Sequence, residues 1–332
     1  MLRTERLILR PWAESDAASC YEYAKDPAVG PAAGWPAHRS EAESLEIIRN
    51  VLMCPETYAV CLKEDGKAIG SVGLRLNGST DMTERDDECE LGYWIGRPFW
   101  GQGLIPEAAA EVLRRAFEDL RMSRVWCGYY DGNAKSKRVQ EKLGFRYQWT
   151  TEEADVPQMR ETRRGHVNAI TRDEWIRDRI RRIDTDKKRY LPLLLLADEQ
   201  EDMIDRYLDR GALYVVEDRG ALKAECVITD EGGGVAEIKS LATVPEVQGK
   251  GYGSAMIRFA ADLCRDRYDT LQVGTGDSPL TVPFYERCGF VRHHTDEGFF
   301  TRSYDHPIVE GGVLLRDMVY LRMPLKTTES EG

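Results

Sequence analysis

The chain has 332 residues, 42% hydrophobic and 31% charged, with a formal net charge of −11 and a pI near 5.2. That length predicts two domains, each able to bury its own core. The acidic balance argues against a nucleic-acid partner and against an anionic membrane surface.

The eight cysteines are scattered without a Cys-x-x-Cys pair, and the five histidines form no ligand-spaced set. Reduced thiols in a cytoplasmic protein are expected, with no metal and no disulfide framework. The N-terminus does not read as a signal peptide. The apolar run 191–197 is too short to span a bilayer.

In chain order, 3–10 alternates and predicts a strand, followed by a helix at 17–25. A Gly/Pro/Ala loop at 27–36 ends near Trp35 and His38. Ser40, three residues before Glu43, opens a helix to about Met53. Segments 58–63 and 68–76 predict a hairpin, and 81–88 is an acidic loop. A strand at 90–95 leads into a glycine loop and a helix at 106–120. A strand at 124–130, a polar turn, a helix at 136–143 and a strand pair at 145–150 and 166–170 close the first half. A short helix is capped at 171–175. Residues 177–189 hold seven basic and three acidic residues. This composition shift places an N-terminal domain at 1–178, a basic linker at 179–189, a C-terminal domain at 190–326 and a tail at 327–332.

The second half repeats the order. An apolar segment (191–197), an amphipathic helix (198–210) and a hairpin (212–217, 222–229) precede a β-branched strand at 237–244. A glycine loop and a helix at 254–265 follow. A strand at 270–274, a turn, a helix at 282–287 and two stretches, 299–304 and 316–323, are expected to finish the sheet. Glu141-Lys-Leu-Gly-Phe145 answers Glu286-Arg-Cys-Gly-Phe290. Glu90 lies ten residues before Trp100, and Glu237 eleven before Gln248. Strands alternating with helices predict a mixed α/β sheet in each half.

The motif that decides the chemistry is Gln248-Gly249-Lys250-Gly251-Tyr252-Gly253, between a strand and a helix. Glycine lets the backbone turn tightly beside a ligand. The helix N-terminus behind it offers unpaired N–H groups and a positive dipole end, an anion site suited to pyrophosphate. No Gly-Lys-Ser/Thr closes it as a P-loop, and the order Gly-x-Gly-x-x-Gly is absent.

Gln-x-x-Gly-x-Gly after Leu-Ala-Thr-Val-Pro-Glu resembles the acyl-coenzyme A motif of the GNAT N-acetyltransferase superfamily. The first half resembles its ribosomal-protein alanine/serine N-acetyltransferase branch. The matching stretches are Thr4-Glu5-Arg6-Leu7-Ile8-Leu9-Arg10, Gly92-Tyr93-Trp94-Ile95, Trp100-Gly101-Gln102-Gly103 and Asn133-x-x-Ser136. It departs from the pattern at Trp100, where Gln or Arg is usual, and at Ile105, where Gly or Ala is. The second half resembles small bacterial GNAT proteins of unassigned substrate. The resemblance implies two tandem GNAT folds of α+β type, each a mixed, mostly antiparallel twisted sheet flanked by helices. It also implies acetyl-CoA as cosubstrate and direct transfer to a primary amine, either a protein N-terminus or a small amine. Alternatively one half, the first by its departures, is a silent module for binding or pseudo-dimer formation. The oligomeric state stays open.

Acetyl transfer to an amine needs a proton acceptor, since a Lys-like amine has a pKa near ~10. It also needs donors aimed at the thioester oxygen and an acid for the leaving thiolate. By resemblance, backbone at Leu241, Ala242 and Thr243 pairs with the cofactor and polarises its carbonyl. The loop Gln248, Gly249, Lys250, Gly251, Tyr252, Gly253 and Ser254 holds the pyrophosphate, and Tyr285 protonates the thiolate. Glu237 is the candidate base, or a solvated strand-edge glutamate. In the first half Ile95, Trp100, Gly101, Gln102, Gly103, Leu104 and Asn133 are the cofactor residues, and Glu90 is the base candidate. Ser136 either acts as Tyr285 does or caps its helix. Trp35, His38 and Tyr93 in one half, and Phe300, Arg302 and Tyr304 in the other, either line acceptor sites or simply pack.

Overall fold

The computed structural model describes residues 1–326 and divides into two units, Met1–Trp175 and a second from Ile176 onward. The tail expected at 327–332 lies outside the described residues.

The first unit has strands β1 (Leu2–Arg3), β2 (Leu7–Pro11), β3 (Thr57–Leu62), β4 (Ala68–Leu76), β5 (Glu88–Ile95), β6 (Arg124–Tyr130), β7 (Arg146–Val156) and β8 (Glu161–Thr171). They form one sheet in the order β1-β2-β3-β4-β5-β6-β8-β7. The β5–β6 pair is parallel and the rest are antiparallel. The helices are α1 (Ala17–Ala24), α2 (Glu41–Ile47), α3 (Leu104–Arg114), α4 (Ala134–Lys142) and α5 (Arg172–Arg177). The Ser40 hydroxyl accepts from Glu43 N at 3.1 Å and starts α2. In α3, Leu104, Ala108, Ala109, Val112 and Leu113 are buried, the stripe that a 3.6-residue period lays on one face.

The second unit has β9 (Ile180–Ile183), β10 (Ala212–Asp218), β11 (Ala221–Gly232), β12 (Val235–Thr243), β13 (Thr270–Gly276), β14 (Val291–Asp296), β15 (Val309–Glu310), β16 (Val313–Leu314) and β17 (Met318–Pro324). Its main sheet runs β14-β17-β13-β12-β11-β10-β9, and only β12–β13 is parallel. Its helices are α6 (Leu191–Leu194), α7 (Glu201–Leu208), α8 (Tyr252–Cys264), α9 (Thr281–Arg287) and α10 (Phe299–Ser303). Tyr190, Leu194, Ile204, Tyr207 and Leu208 pack with Leu213, Val215 and Val227 of the sheet.

Three expectations change. The first strand breaks into β1 and β2, because Glu107 draws out the turn between them. Its carboxylate accepts from Thr4 Oγ1 (2.5 Å), Arg6 N (2.8 Å) and Arg6 Nε (2.6 Å). The stretch expected as a basic linker carries β9, which pairs with β10 from Leu213↔Ile183 to Val216↔Ile180. Its arginines point at carboxylates, Arg179 Nε to Asp218 at 3.4 Å and Arg181 to Glu217, and Ile183 packs against the core, so pairing with β10 carries a strand through a charged run. Residues 299–304, expected as sheet, form α10. Gly298 turns the chain at φ +70° and its N–H is held by Asp317 Oδ1 at 2.7 Å. Phe300 packs with Ile308 and Leu315.

Candidate active site

In each unit the sheet opens at its one parallel pair. β5 and β6 are in register only from Glu88↔Arg124 to Glu90↔Trp126, although β5 continues to Ile95. β12 and β13 are paired from Val235↔Thr270 to Ile238↔Val273, and β12 continues to Thr243. Beyond these points the facing edges at 91–95 and 239–243 lack a strand partner in the other half of the pair. Backbone N–H and C=O groups left this way require partners. An extended, amide-bearing ligand can supply them by adding to the open edge.

The two units differ by one residue here. From Gly70↔Ile95 to Leu76↔Cys89 the β4–β5 register is unbroken. In β12, Val227↔Ser240 is followed by Ile228↔Ile238, so Lys239 is an extra, bulged residue. The bulge explains why Glu237 lies eleven residues before Gln248 while Glu90 lies ten before Trp100. It leaves Glu90 and Glu237 at equivalent places, paired with Arg75 and Thr229 respectively. A bulge also frees a backbone group and re-aims its neighbours.

The glycine loops are built alike. A 3₁₀ turn (Arg97–Phe99 or Pro245–Val247) is followed by one extended residue, Trp100 or Gln248. Gly101 and Gly103 then take φ of 76°, and Gly249 and Gly251 take 71° and 96°. α3 opens at Leu104 and α8 at Tyr252, both with buried first residues. A Cβ on Gly101 or Gly249 would meet nothing within 4 Å. Glycine is there for its positive φ, and the space above it is open. Both loops therefore fit a pyrophosphate, which the helix N–H groups would hold.

The departures in the first loop are compensated. Trp100 Nε1 donates to Ile95 O at 2.9 Å, and Gln248 Nε2 donates to Thr243 O at 3.2 Å. The same strand-end carbonyl, five residues back, is secured by either side chain. Lys135 Nζ stands 4.0 Å over the Trp100 ring. Gln102 Nε2 bonds Pro98 O at 2.9 Å, and Arg6 Nη1 bonds Gln102 O at 3.0 Å. In the second unit a Cβ at Gly253 would lie 3.1 Å from Phe284 Cζ. The first unit has Ile105, buried, at the Gly253 position, and Val139 at the Phe284 position. Lys250, Gly251, Gly253 and Ser254 are partly exposed, and Ser254 Oγ bonds Gly251 O at 3.2 Å.

On the next helix, Asn133 caps α4. Its Oδ1 accepts from Ser136 N at 3.1 Å and its Nδ2 donates to Ala32 O at 3.0 Å. Ser136 is thus not the cap. Its hydroxyl is 2.9 Å from Tyr93 Oη and accepts from Gln140 Nε2 at 3.2 Å. Gln140, fully buried, is held in turn by Asn168 Nδ2 at 2.7 Å. Counting back from Gly-Phe, Gln140 stands where the second unit has Tyr285. Burial pushes the Tyr93 phenol well up, and also that of Tyr285, which has Cys226 and Glu225 nearby.

The carboxylates differ in freedom. Glu90 accepts from Thr80 Oγ1 at 2.7 Å with Arg75 Nη1 at 3.6 Å, and burial raises its pKa against both. Glu237 is 5% exposed, with Oε1 on Lys239 Nζ and Oε2 on Gln272 Nε2, both at 2.7 Å. A third carboxylate, Glu225 of β11, was not singled out by sequence reasoning. It is fully buried, pairs across the ladder with Ala242, and accepts from Ser240 Oγ at 2.6 Å. Its signal in the sequence is a lone charge in the apolar run 224–228. The first unit has Ser71 at that register position, opposite Trp94. There Trp12 Nε1 bonds Ser71 Oγ at 3.2 Å, and Trp94 stacks with Trp12 and meets Trp35 edge-on. His38 Nδ1 lies 2.8 Å from Ser44 Oγ. Of the residues expected around the second acceptor site, Tyr304 Oη donates to Asp198 Oδ1 at 3.0 Å, Phe300 stacks on Tyr304, and Arg302 turns to Asp296 at 2.6 Å.

Among the described residues no three His, Cys, Asp or Glu side chains converge to hold a metal. Among the same residues no helix is long and apolar enough to cross a membrane.

A parallel strand pair that splays beside a glycine loop and a helix N-terminus, present twice, defines an acyl-transfer scaffold. Residues 6–146 and 209–292 each match a family described as "Acetyltransferase (GNAT) domain". The chain belongs to the GNAT N-acetyltransferases, with two such domains in tandem. It is 36% identical over 135 residues to the uncharacterized N-acetyltransferase YvbK of Bacillus subtilis, covering 40% of this chain and 87% of that protein. It is 37% identical over 81 residues to the putative ribosomal N-acetyltransferase YdaF of Bacillus subtilis, covering 24% of this chain and 42% of that protein. Among solved structures, it is similar to a Bacillus subtilis acetyltransferase in complex with CoA, at 33% identity and TM-score 0.42, covering 44% of this chain and 97% of that one.

Proposed function

We propose that this protein moves the acetyl group of acetyl-CoA to a primary amine, and that the second unit carries the reaction. The observation behind this reading is the combination, in that unit, of an open strand edge at 239–243, a bulge at Lys239 and a positive-φ loop before α8. The open edge pairs the amides of the pantetheine arm. The loop from Gln248 to Ser254 holds the pyrophosphate, and the backbone beyond the bulge, Leu241 to Thr243, aims a donor at the thioester oxygen. Tyr285 is the acid for the leaving thiolate; burial raises its pKa, so the phenol holds its proton until the thiolate forms. A carboxylate on the acceptor side takes the proton of the incoming ammonium.

The first unit binds the same cosubstrate through Trp100 to Leu104 and the open edge up to Ile95. A second reading makes it a silent binding module. It is favoured by the unbroken β5 register, by Gln140 at the tyrosine position, and by the tryptophans packed opposite Ser71. If it is active, Glu90 and Ser136 carry the corresponding roles, with Asn133 ordering the helix beneath them.

The test is free-thiol release from acetyl-CoA with a panel of small amines and N-terminal peptides. Release with at least one amine is expected. Binding of acetyl-CoA without release from any of them would sink the enzymatic reading.

A further inference from the structure

The second unit contains a buried acidic group that the cosubstrate cradle does not use. Glu225 is fully buried, and its Oε2 has no hydrogen-bond partner among the described residues. Its other oxygen accepts from Ser240. Among the described residues no cation offsets it: the groups favouring its ionised form are Ser240 and the Ala242 N–H. A buried carboxylate with one empty oxygen is costly unless something occupies it. By contrast Glu237, on the neighbouring strand, has both oxygens engaged by Lys239 and Gln272.

The surroundings indicate the missing partner. Tyr207 of α7 is buried, its hydroxyl has no partner within hydrogen-bonding geometry among the described residues, and Ser240 lies beside it. Asp198, just past α6, and Glu225 both act on Tyr207, and Tyr304, following α10, donates to Asp198. Tyr285 of α9 feels Glu225 and Cys226. Apolar Val215 and Val227 pack with Tyr207 on the same side of the sheet. The charged group facing this line from α7 is Arg206, which acts on Asp198 and Tyr304 and is absent from the causes acting on Glu225.

We propose that Glu225 is the catalytic base of the second unit, and that its free oxygen receives the ammonium of a small aliphatic primary amine. Ser240 positions the carboxylate, and Tyr207 donates or accepts beside the bound nitrogen. This rests on the acetyl-transfer reading above. Glu225 takes one proton from the ammonium, and the neutral nitrogen attacks the thioester carbonyl. The N–C bond forms and the C–S bond breaks. The thiolate takes the Tyr285 proton, and the nitrogen's second proton returns the tyrosine to its neutral state through solvent. The products are the N-acetyl amine, CoA thiol and one proton. Burial raises the Glu225 pKa to about 8, which matches a base working near neutrality.

The experiment uses the full chain carrying Gly101→Asp, which puts a negative charge in the first loop so that thiol release reports the second unit. Acetyl-CoA binding by calorimetry, thiol release with 1,4-diaminobutane, n-butylamine and an N-terminal tetrapeptide, and kcat/KM against pH, which reports the free enzyme's groups, are measured with and without Glu225→Gln. The expected result is unchanged acetyl-CoA affinity, a kcat lowered about 100-fold or more, and loss of the limb that rises through about pH 8. Tyr207→Phe is expected to raise KM for the amine with a smaller effect on kcat. Glu225→Gln is isosteric, and a thermal melt checks that it folds. Wild-type-like kcat and pH profile in Glu225→Gln would overturn the base assignment while leaving acetyl transfer intact. Acetylation of the tetrapeptide but of neither small amine would overturn the acceptor class. Failure of the Gly101→Asp chain to bind acetyl-CoA, or to release thiol with any amine, would overturn the second-unit reading and this inference with it.

Discussion

Trp100 and Gln248 make the same bond: each donates from its side-chain nitrogen to the carbonyl five residues earlier, at 2.9 and 3.2 Å. The strand end and the glycine loop are thereby tied together in both units, although the two side chains share little chemistry. What the loop requires at this place is a donor of the right reach. Trp100→Gln is therefore expected to leave acetyl-CoA affinity of the first unit unchanged. Trp100→Ala loses about 1 kcal/mol, or about fivefold in Kd. Calorimetry distinguishes them; equal loss in both variants would mean that the indole ring itself matters.

Gly101 and Gly249 have open space around them and positive φ. Aspartate tolerates that backbone better than most residues, and its charge opposes a pyrophosphate. Each single Gly→Asp variant is expected to remove one acetyl-CoA site from the binding stoichiometry, and the double variant to remove both. A wild-type stoichiometry of one that only Gly249→Asp abolishes would establish the first unit as silent.

Glu225 gives a pH signature in stability. Its pKa is raised from the ordinary 4.5 to about 8. Between those values the folded state holds a proton that the unfolded state has released, so stability falls as pH rises through the window and levels off above it. Relative to Glu225→Gln, the wild type is expected to lose on the order of a few kcal/mol from pH 5 to pH 8. Chemical denaturation at both pH values measures the difference. A constant difference would mean that Glu225 is not desolvated in solution.

Tyr285→Phe is expected to keep acetyl-CoA affinity and lower kcat about 10- to 100-fold, as loss of a general acid does. In the first unit, Ser136→Ala cuts the hydroxyl link from Gln140 to Tyr93. It leaves the Asn133 cap in place. It is expected to leave helix content unchanged by circular dichroism, whereas Asn133→Ala costs about 1 kcal/mol.

Trp175, 1% exposed and packed on Phe117 at 5.4 Å between ring centroids, closes the first core. Trp175→Ala is expected to destabilise by about 3–5 kcal/mol. A thermal shift of only a degree or two would show that the indole is less enclosed than its contacts indicate.

The sequence by itself determined the duplication and the strand–glycine loop–helix order, because these depend on local periodicity and on glycines placed where the backbone takes a positive φ. Even the bulge left a trace in it, as the one-residue difference between Glu90 and Glu237 in their distance from the loop. Which carboxylate is free was decided only by tertiary structure. Glu237 stood out along the chain, yet Lys239 and Gln272 satisfy it. Glu225, Ser240 and Tyr207 meet only once β11, β12 and α7 are packed. Likewise the basic run became a strand because β10 offered an edge and acidic partners. Whether a polar group is paired or orphaned depends on neighbours brought together across the fold, and no local pattern encodes that.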